Sequence, residues 1–441
     1  MHRPDTIQRM IRPQDILVPS GYKVEVFAEG LMTPINLTFT DQGEMLVADA
    51  GIASGSGKVL KLTSRGMKVI AEGFKPPLTG ITYYKGDIYV AHRGFITVVK
   101  SDGSKKDIIS GLPSFGDHHN NRVIFGPDGK MYFGQGTATN SGVVGEDNSR
   151  WVKQYPFFHD YPGLLIPLIG ENFRTKNILS ERPGEEAWTG AYSPFGVPSY
   201  RGEYVKGIVM ASGSILRANR DGSQIELVAW GLRNPFRLKF DRHHRLFCAN
   251  HGIDVRGSRP VANSPDEFQW IRQGTWYGWP DYTGGLPVTN PMFKPEGKPQ
   301  PAFLLAEHPM QPPKPIAVFA PHSAAMGFDF NYDSSFGPVG EAFIAEFGSE
   351  APGTTGGQPA PRVGHRVSRI NPETGKVTTF AINKTGLAAF ATGGGGLERP
   401  IDVTFGKKND MYITDFGIFK PPGRAEIVIP NTGVIWKVTR Q

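Results

Sequence analysis

Hydrophobic and polar positions alternate along most of this chain in short runs, and glycine-bearing turns separate the runs. Alternation of period two marks half-buried strands, and glycine turns between them mark hairpins. One phrase recurs six times: a hydrophobic strand, a polar residue, then glycine within two positions. The copies are Val47-Ala48-Asp49-Ala50-Gly51, Val90-Ala91-His92-Arg93-Gly94, Phe133-Gly134-Gln135-Gly136, Cys248-Ala249-Asn250-His251-Gly252, Ile344-Ala345-Glu346-Phe347-Gly348 and Ile413-Thr414-Asp415-Phe416-Gly417. Each follows another strand and a turn, as in Ile35–Phe39, Asp41-Gln42-Gly43, Met45–Ala48. Six copies of one β-unit predict an all-β fold, a six-bladed β-propeller.

The polar markers Asp49, His92 and Gln135 stand at equal intervals of 43 residues (92−49, 135−92), the length of a four-stranded blade. A third strand and a turn to a fourth follow the early markers, for example Lys58–Leu62 and Lys68–Ala71. The last copy ends at Val434–Val438 with no fourth strand after it. The segment Tyr22–Leu31 resembles the other fourth strands and is predicted to supply it, closing the ring and hiding an edge. The domain reading is therefore an N-terminal extension over 1–20 and one propeller over 21–441. Longer intervals predict two loop insertions, at about 137–213 and about 252–321. Both are rich in aromatics (Trp151, Tyr155, Phe157, Phe158 and Tyr161; Trp270, Trp276, Tyr277, Trp279 and Tyr282). Such rings either stack on a flat ligand over the channel or give the loops cores of their own.

Composition narrows the picture further. The 441 residues are 39% hydrophobic and 20% charged, which suits a folded globule, and no apolar run is long enough to span a membrane. The net charge of +7 is spread without a Lys/Arg run, so nucleic-acid binding is not indicated. The single cysteine, Cys248, excludes an internal disulfide and reads as a small buried hydrophobe. Met1–Asp15 is polar and lacks an apolar signal core. The expected location is cytoplasmic, or periplasmic or secreted if a leader has been removed. The oligomeric state is not legible.

In a propeller the loops ahead of the innermost strands meet at one mouth of the channel. Here they bring Thr33, Thr79, Asp117-His118-His119-Asn120-Asn121, Arg233-Asn234, His322-Ser323 and Glu398-Arg399. Two arginines with no evident acid partner suit an anionic ligand, and a histidine among them suits a general base.

These residues carry a resemblance. Asp117-His118 ahead of Phe125-Gly126-Pro127-Asp128-Gly129, then Gly231-Leu232-Arg233-Asn234-Pro235, Asp266-Glu267 leading to Tyr277-Gly278-Trp279-Pro280, and Arg399-Pro400 are similar to motifs of the soluble glucose/sorbosone dehydrogenase family. Members are six-bladed propellers that oxidise sugars with pyrroloquinoline quinone (PQQ) and Ca²⁺. The resemblance runs from about Gly21 to Trp436. It implies His118 as the base that takes the sugar hydroxyl proton while hydride passes to the quinone. It implies Arg233 and Asn234 at the quinone oxygens and Arg399 at a carboxylate, with His119, Asn120, His322 and Thr137 completing the cofactor-binding set. Calcium would lie near Asp266 and Glu267, with the carbonyls of Gly257 and Pro260 as candidates. Some positions depart from the family pattern: Thr137 where an acid is usual, Asn120 and Asn121 where small residues are usual, Gly348 where a lysine is usual, and Ile401 where a second arginine is usual.

Two other readings stay open. One is a quinone-free metalloenzyme holding Zn, Cu or Fe with His92, His251 and Glu346. The other is a propeller that binds a ligand without redox chemistry. In the leading reading the partner is a small sugar or polyol.

Overall fold

The computed structural model describes residues 7–408, 410–420 and 427–441. Six antiparallel sheets form the predicted propeller. Blade 1 comprises Pro34–Phe39, Met45–Asp49, Gly57–Thr63 and Gly66–Phe74, from channel to rim. Blade 2 comprises Leu78–Tyr84, Asp87–His92, Phe95–Val99 and Lys105–Ile109. Blade 3 comprises Ile124–Phe125, Met131–Gln135, Ser214–Ala218 and Glu226–Trp230, with Thr275–Trp276 added in parallel at its rim. Blade 4 comprises Pro235–Phe240, Leu246–Asn250, Asp266–Ile271 and Ala317–Phe319. Blade 5 comprises Ala325–Phe330, Ala342–Glu346, Arg366–Ile370 and Val377–Asn383, with Ile16–Leu17 as a fifth strand.

Blade 6 is closed from the other end of the sequence. Pro400–Phe405, Met411–Asp415 and Gly433–Arg440 are followed outward by Tyr22–Leu31, paired from Tyr22↔Arg440 to Leu31↔Gly433. A second tie runs beside it. Arg9 reaches blade 6, where its guanidinium bonds Asp415 at 2.6 Å and the carbonyls of Thr432 and Gly396 at 2.8 Å each.

The alternation of the sequence is read out as blade-to-blade packing. Leu46, Val90, Phe133, Cys248, Ile344 and Ile413, one from the second strand of each blade, are buried between sheets. Midway along the channel Arg122 and Arg237 flank Asp402 at 3.6 and 3.4 Å, so the bore is crossed by charged side chains. Gly327 and Gly80 leave the room: a Cβ on either would fall within 2.5 Å of Asp402 or Arg122 atoms.

The first insertion ends where blade 3 resumes, at Ser214. The second does not extend over 252–321, because Asp266–Ile271 and Ala317–Phe319 inside that span are the third and fourth strands of blade 4. A fifteen-residue excursion from His251 to Pro265 separates this third strand from its partner and breaks the hairpin spacing. The aromatics mostly build cores. Trp276 and Trp279 are buried with Val143, Tyr192 and Trp230, and Trp151 is buried with Ala138, Val144 and Phe158.

Candidate functional site

The markers at the ends of the second strands hold the mouth loops in place. Asn250 Oδ1 accepts the backbone N–H groups of Arg233 and Asn234 at 3.0 and 3.1 Å. Asp415 accepts those of Glu398 and Arg399 at 2.8 and 2.9 Å. Asp49 Oδ1 accepts the Thr33 hydroxyl and the backbone N–H of Gly51. Their burial is explained by this capping, because a buried carboxylate needs its lone pairs filled. His92 and Glu346 follow suit: His92 lies between Thr97 Oγ1 at 2.7 Å and the Lys75 N–H at 3.2 Å, and Glu346 accepts from Ser368. Asn120 is also structural, latching Gly94, Phe95 and Ser114.

His118 sits on an irregular extension of blade 3. Its N–H donates to Thr137 O at 3.1 Å, and that of Gly136 donates to His119 O at 3.0 Å. The strands approach so closely here that a Cβ on Gly136 would stand 2.3 Å from His118 Cβ. The imidazole Nδ1 faces two oxygens of Thr137, the carbonyl at 3.0 Å and Oγ1 at 3.2 Å. Thr137 Oγ1 donates its own proton to Thr139 O at 2.7 Å, so both atoms facing Nδ1 are acceptors. Nδ1 therefore carries the hydrogen and Nε2 keeps its lone pair. Burial, then the nearby Arg233, Arg256 and His251, hold His118 well below the ordinary histidine value, so the ring is neutral. His119 is also lowered, to about 4, chiefly by burial, and its Nδ1 faces Ser114 O at 3.0 Å.

Beside it lies a polar network that the sequence does not reveal. Arg233 is not without an acid partner: its Nη2 meets Asp254 Oδ2 at 2.7 Å and Asn140 Oδ1 at 2.9 Å. Asn234 donates to His251 Nδ1 at 3.1 Å, while His251 Nε2–H is spent on Ala325 O at 3.0 Å. His322 Nδ1 stands 3.6 Å from Asp254 Oδ1. Arg256 Nη1 lies 2.7 Å from both Asp117 Oδ2 and Asp147 Oδ2, and its Nε lies 3.3 Å from Asp254 Oδ2. Of this set only Asp117 is placed at the mouth by the sequence; Asp147, in the short 3₁₀ turn Glu146–Asn148, and Asp254 and Arg256, in the loop after Asn250, have no period to betray them. The alternating charges of Asp254-Val255-Arg256 were the available signal.

Arg399 is different. It is buried and donates to the carbonyls of Phe347, Gly348 and Ser349 at 3.2, 2.9 and 2.9 Å, between the rings of Phe347 and Phe419. Its Nε has no partner, and among the described residues no carboxylate is within salt-bridge reach. A lysine is excluded at position 348: Gly348 has φ +92, and a Cβ would fall 2.4 Å from the His365 ring. Ile401 is buried in the apolar cluster with Phe347, Phe416 and Phe419.

The implied cofactors fare unequally. Calcium needs six to eight oxygen ligands. Asp266 accepts from Gly252, Ser323 and Ala325, and Glu267 accepts from Asn250, Gln269 and Gly284. The carbonyls of Asp254, Arg256 and Arg259 take donors from Asn140 and Ser141. Gly257 packs its α-carbon against Asp147, and Pro260 follows the buried Arg259 that pairs with Asp281. The segment does not offer the calcium site that the resemblance implies. An anionic quinone fits better, since Arg399 carries a buried charge whose nearest acids, Glu350, Glu398 and Asp415, act on it without a direct ion pair. Among the described residues no group of three or more His, Cys, Asp and Glu side chains is placed to hold a metal ion.

Fold and mouth together define a six-bladed β-propeller whose channel mouth gathers charged and polar side chains. No family model matches the chain. The chain is 27% identical to quinoprotein glucose dehydrogenase B of Acinetobacter calcoaceticus over 180 residues, which is 40% of this chain and 29% of that protein. It is 28% identical to the HIPL1 protein of Arabidopsis thaliana over 193 residues, 43% of this chain and 21% of that one. The matched segment thus spans less than a third of either relative. Among solved structures, the PQQ-bound aldose sugar dehydrogenase of Streptomyces coelicolor superposes with TM-score 0.54 and 16% identity over 96% of this chain and all of that one. A carbohydrate-active enzyme of family AA12 from Trichoderma reesei gives 0.59 and 13% over 99% of this chain and all of that one. At these identities the structures speak for the fold. No helix among the described residues is long and apolar enough to cross a membrane.

Proposed function

We propose that this chain is an oxidoreductase that removes hydride from a sugar or polyol carbon, with His118 as the base and a PQQ-type quinone as acceptor. The observation that carries the reading is the His118 tautomer: Nδ1–H is tied to Thr137 and the Nε2 lone pair makes no hydrogen bond among the described residues. Nε2 takes the hydroxyl proton as the carbon–hydrogen electron pair leaves, and the carbon becomes a carbonyl. A bound quinone supplies the two-electron acceptor for that pair. Arg399, its Nε unpaired, would hold an acceptor carboxylate, and Arg233 with Asn234 beside it would stabilise negative charge growing on an acceptor oxygen. Thr137 orients the imidazole through hydrogen bonds, where an acid would have added charge. His119, neutral, and His322, beside Asp254, line the same mouth.

The test is reconstitution with PQQ, read by absorbance and by dye-linked oxidation of an aldose panel. His118→Gln is expected to keep quinone binding and lower turnover by about two to four orders of magnitude. Undiminished turnover in that variant rules out the base assignment, and no quinone binding by the parent rules out the cofactor. That second result would favour a ligand-binding propeller, a reading supported by the missing lysine position at Gly348.

A further inference from the structure

The failure of the calcium site has a counterpart one residue before Gly257. Two carboxylate oxygens, Asp117 Oδ2 and Asp147 Oδ2, converge on the same nitrogen of Arg256 at 2.7 Å, and Asp254 closes the third side at 3.3 Å. A calcium ion would ask for oxygens at about 2.3–2.6 Å around that point. We infer that the Arg256 guanidinium is a built-in cation that occupies the mouth in place of a divalent metal, and that this propeller is therefore indifferent to Ca²⁺.

Charge counting supports the inference. Three carboxylates face Arg256 and Arg233, leaving one net negative charge, with His322 close to Asp254. Without Arg256 the deficit becomes two, the charge of a divalent ion. Burial alone would lower the Arg256 value, but Asp117, Asp147 and Asp254 more than reverse this and raise it, so the cation is permanent. The site is also anchored: Asp117 accepts from Trp151 Nε1 at 2.9 Å and from Asn148 Nδ2 at 3.1 Å. The inference does not rest on the quinone reading, and its readouts are binding and stability rather than turnover.

The indole of Trp151, bonded to Asp117, gives the assay, because it sensitises luminescence of Tb³⁺ bound at that carboxylate. The parent protein is expected to show no sensitised Tb³⁺ signal and no change in melting temperature with millimolar Ca²⁺. Arg256→Ala is expected to melt lower, to regain stability with Ca²⁺, and to bind the ion at ~10⁻⁴–10⁻³ M, the range of extracellular calcium modules. Arg256→Lys keeps the charge and is expected to remain indifferent. Should Arg256→Ala fold only with Ca²⁺ present, the inference holds. Should it fail to fold under either condition, Arg256→Gln, close to the parent in size, takes its place. Stoichiometric Ca²⁺ binding by the parent, or a folded neutral variant that gains none, overturns the inference.

Discussion

Asp415 and Arg9 offer the sharpest test of how the ring is held. Asp415 is fully buried and accepts five donors: Arg9 at 2.6 Å, the N–H groups of Glu398, Arg399 and Gly417 at 2.8, 2.9 and 3.2 Å, and Trp436 Nε1 at 3.1 Å. Burial pushes its carboxyl value up, but Arg9 and the backbone donors outweigh that and hold it below normal. Its stabilising contribution is therefore present above the unfolded carboxylate value and is lost as pH falls through the depressed folded one. Asp415→Asn keeps the shape and removes the charge. It leaves the Arg9 guanidinium, 3% exposed, with two carbonyls for company. Breaking a buried pair from one side costs about 3–5 kcal/mol, a large share of the roughly 5–15 kcal/mol that holds a typical domain. Arg9→Met removes the other partner, and the double variant removes both. Urea unfolding at neutral pH is expected to show a loss of about 3 kcal/mol or more for Asp415→Asn and a smaller loss for the double variant than for the two singles summed. A loss under about 1 kcal/mol, or strict additivity, would refute the claim that this pair clamps blade 6.

Two further outcomes follow from close contacts. Gly136→Ala places a Cβ 2.3 Å from His118 Cβ and 3.0 Å from Asn234 Oδ1, and is expected to lower turnover by about a hundredfold through misplacement of the base. Unchanged kcat in a folded variant would contradict the proposed geometry. His92 is neutral in the fold, lowered to about 4 by burial, and its Nδ1 accepts the Lys75 N–H, so protonation pits donor against donor. Its folded value lies below the unfolded one, so its contribution is complete above pH 6.5 and disappears toward pH 4. The stability gap between parent and His92→Gln should shrink by about 3 kcal/mol over that range, measured by denaturant midpoints at several pH values.

The blades were legible because each is a local hairpin series, and glycine turns write that into the sequence. The closing strand was legible because Tyr22–Leu31 has the grammar of a fourth strand with no blade of its own. The outer half of blade 4 was not, because fifteen residues intervene before Asp266, and the span to Pro321 reads as insertion. The mouth was legible in position only. His118, Arg233 and Arg399 enter where propeller geometry puts them, yet whether an arginine is paired depends on Asp254 and Asn140, which no periodicity connects to it. The markers show the converse: Asn250 and Asp415 recur as chemistry would, but their oxygens are spent on backbone N–H groups.

The pairing of Tyr22–Leu31 with Gly433–Arg440 also sets the order in which this molecule can be finished on the ribosome. The strand made near the start must wait, unpaired, until the segment made near the end emerges, while blades 1 to 5 can each form from what is already out. Throughout that interval the apolar sheet faces of blades 1 and 5 lack their cover and Tyr22–Leu31 lacks its partner strand, the state in which a β-chain is prone to join a neighbour. A permuted chain that begins between blades 5 and 6 and joins Gln441 to the segment before Tyr22 would make blade 6 contiguous and remove the wait.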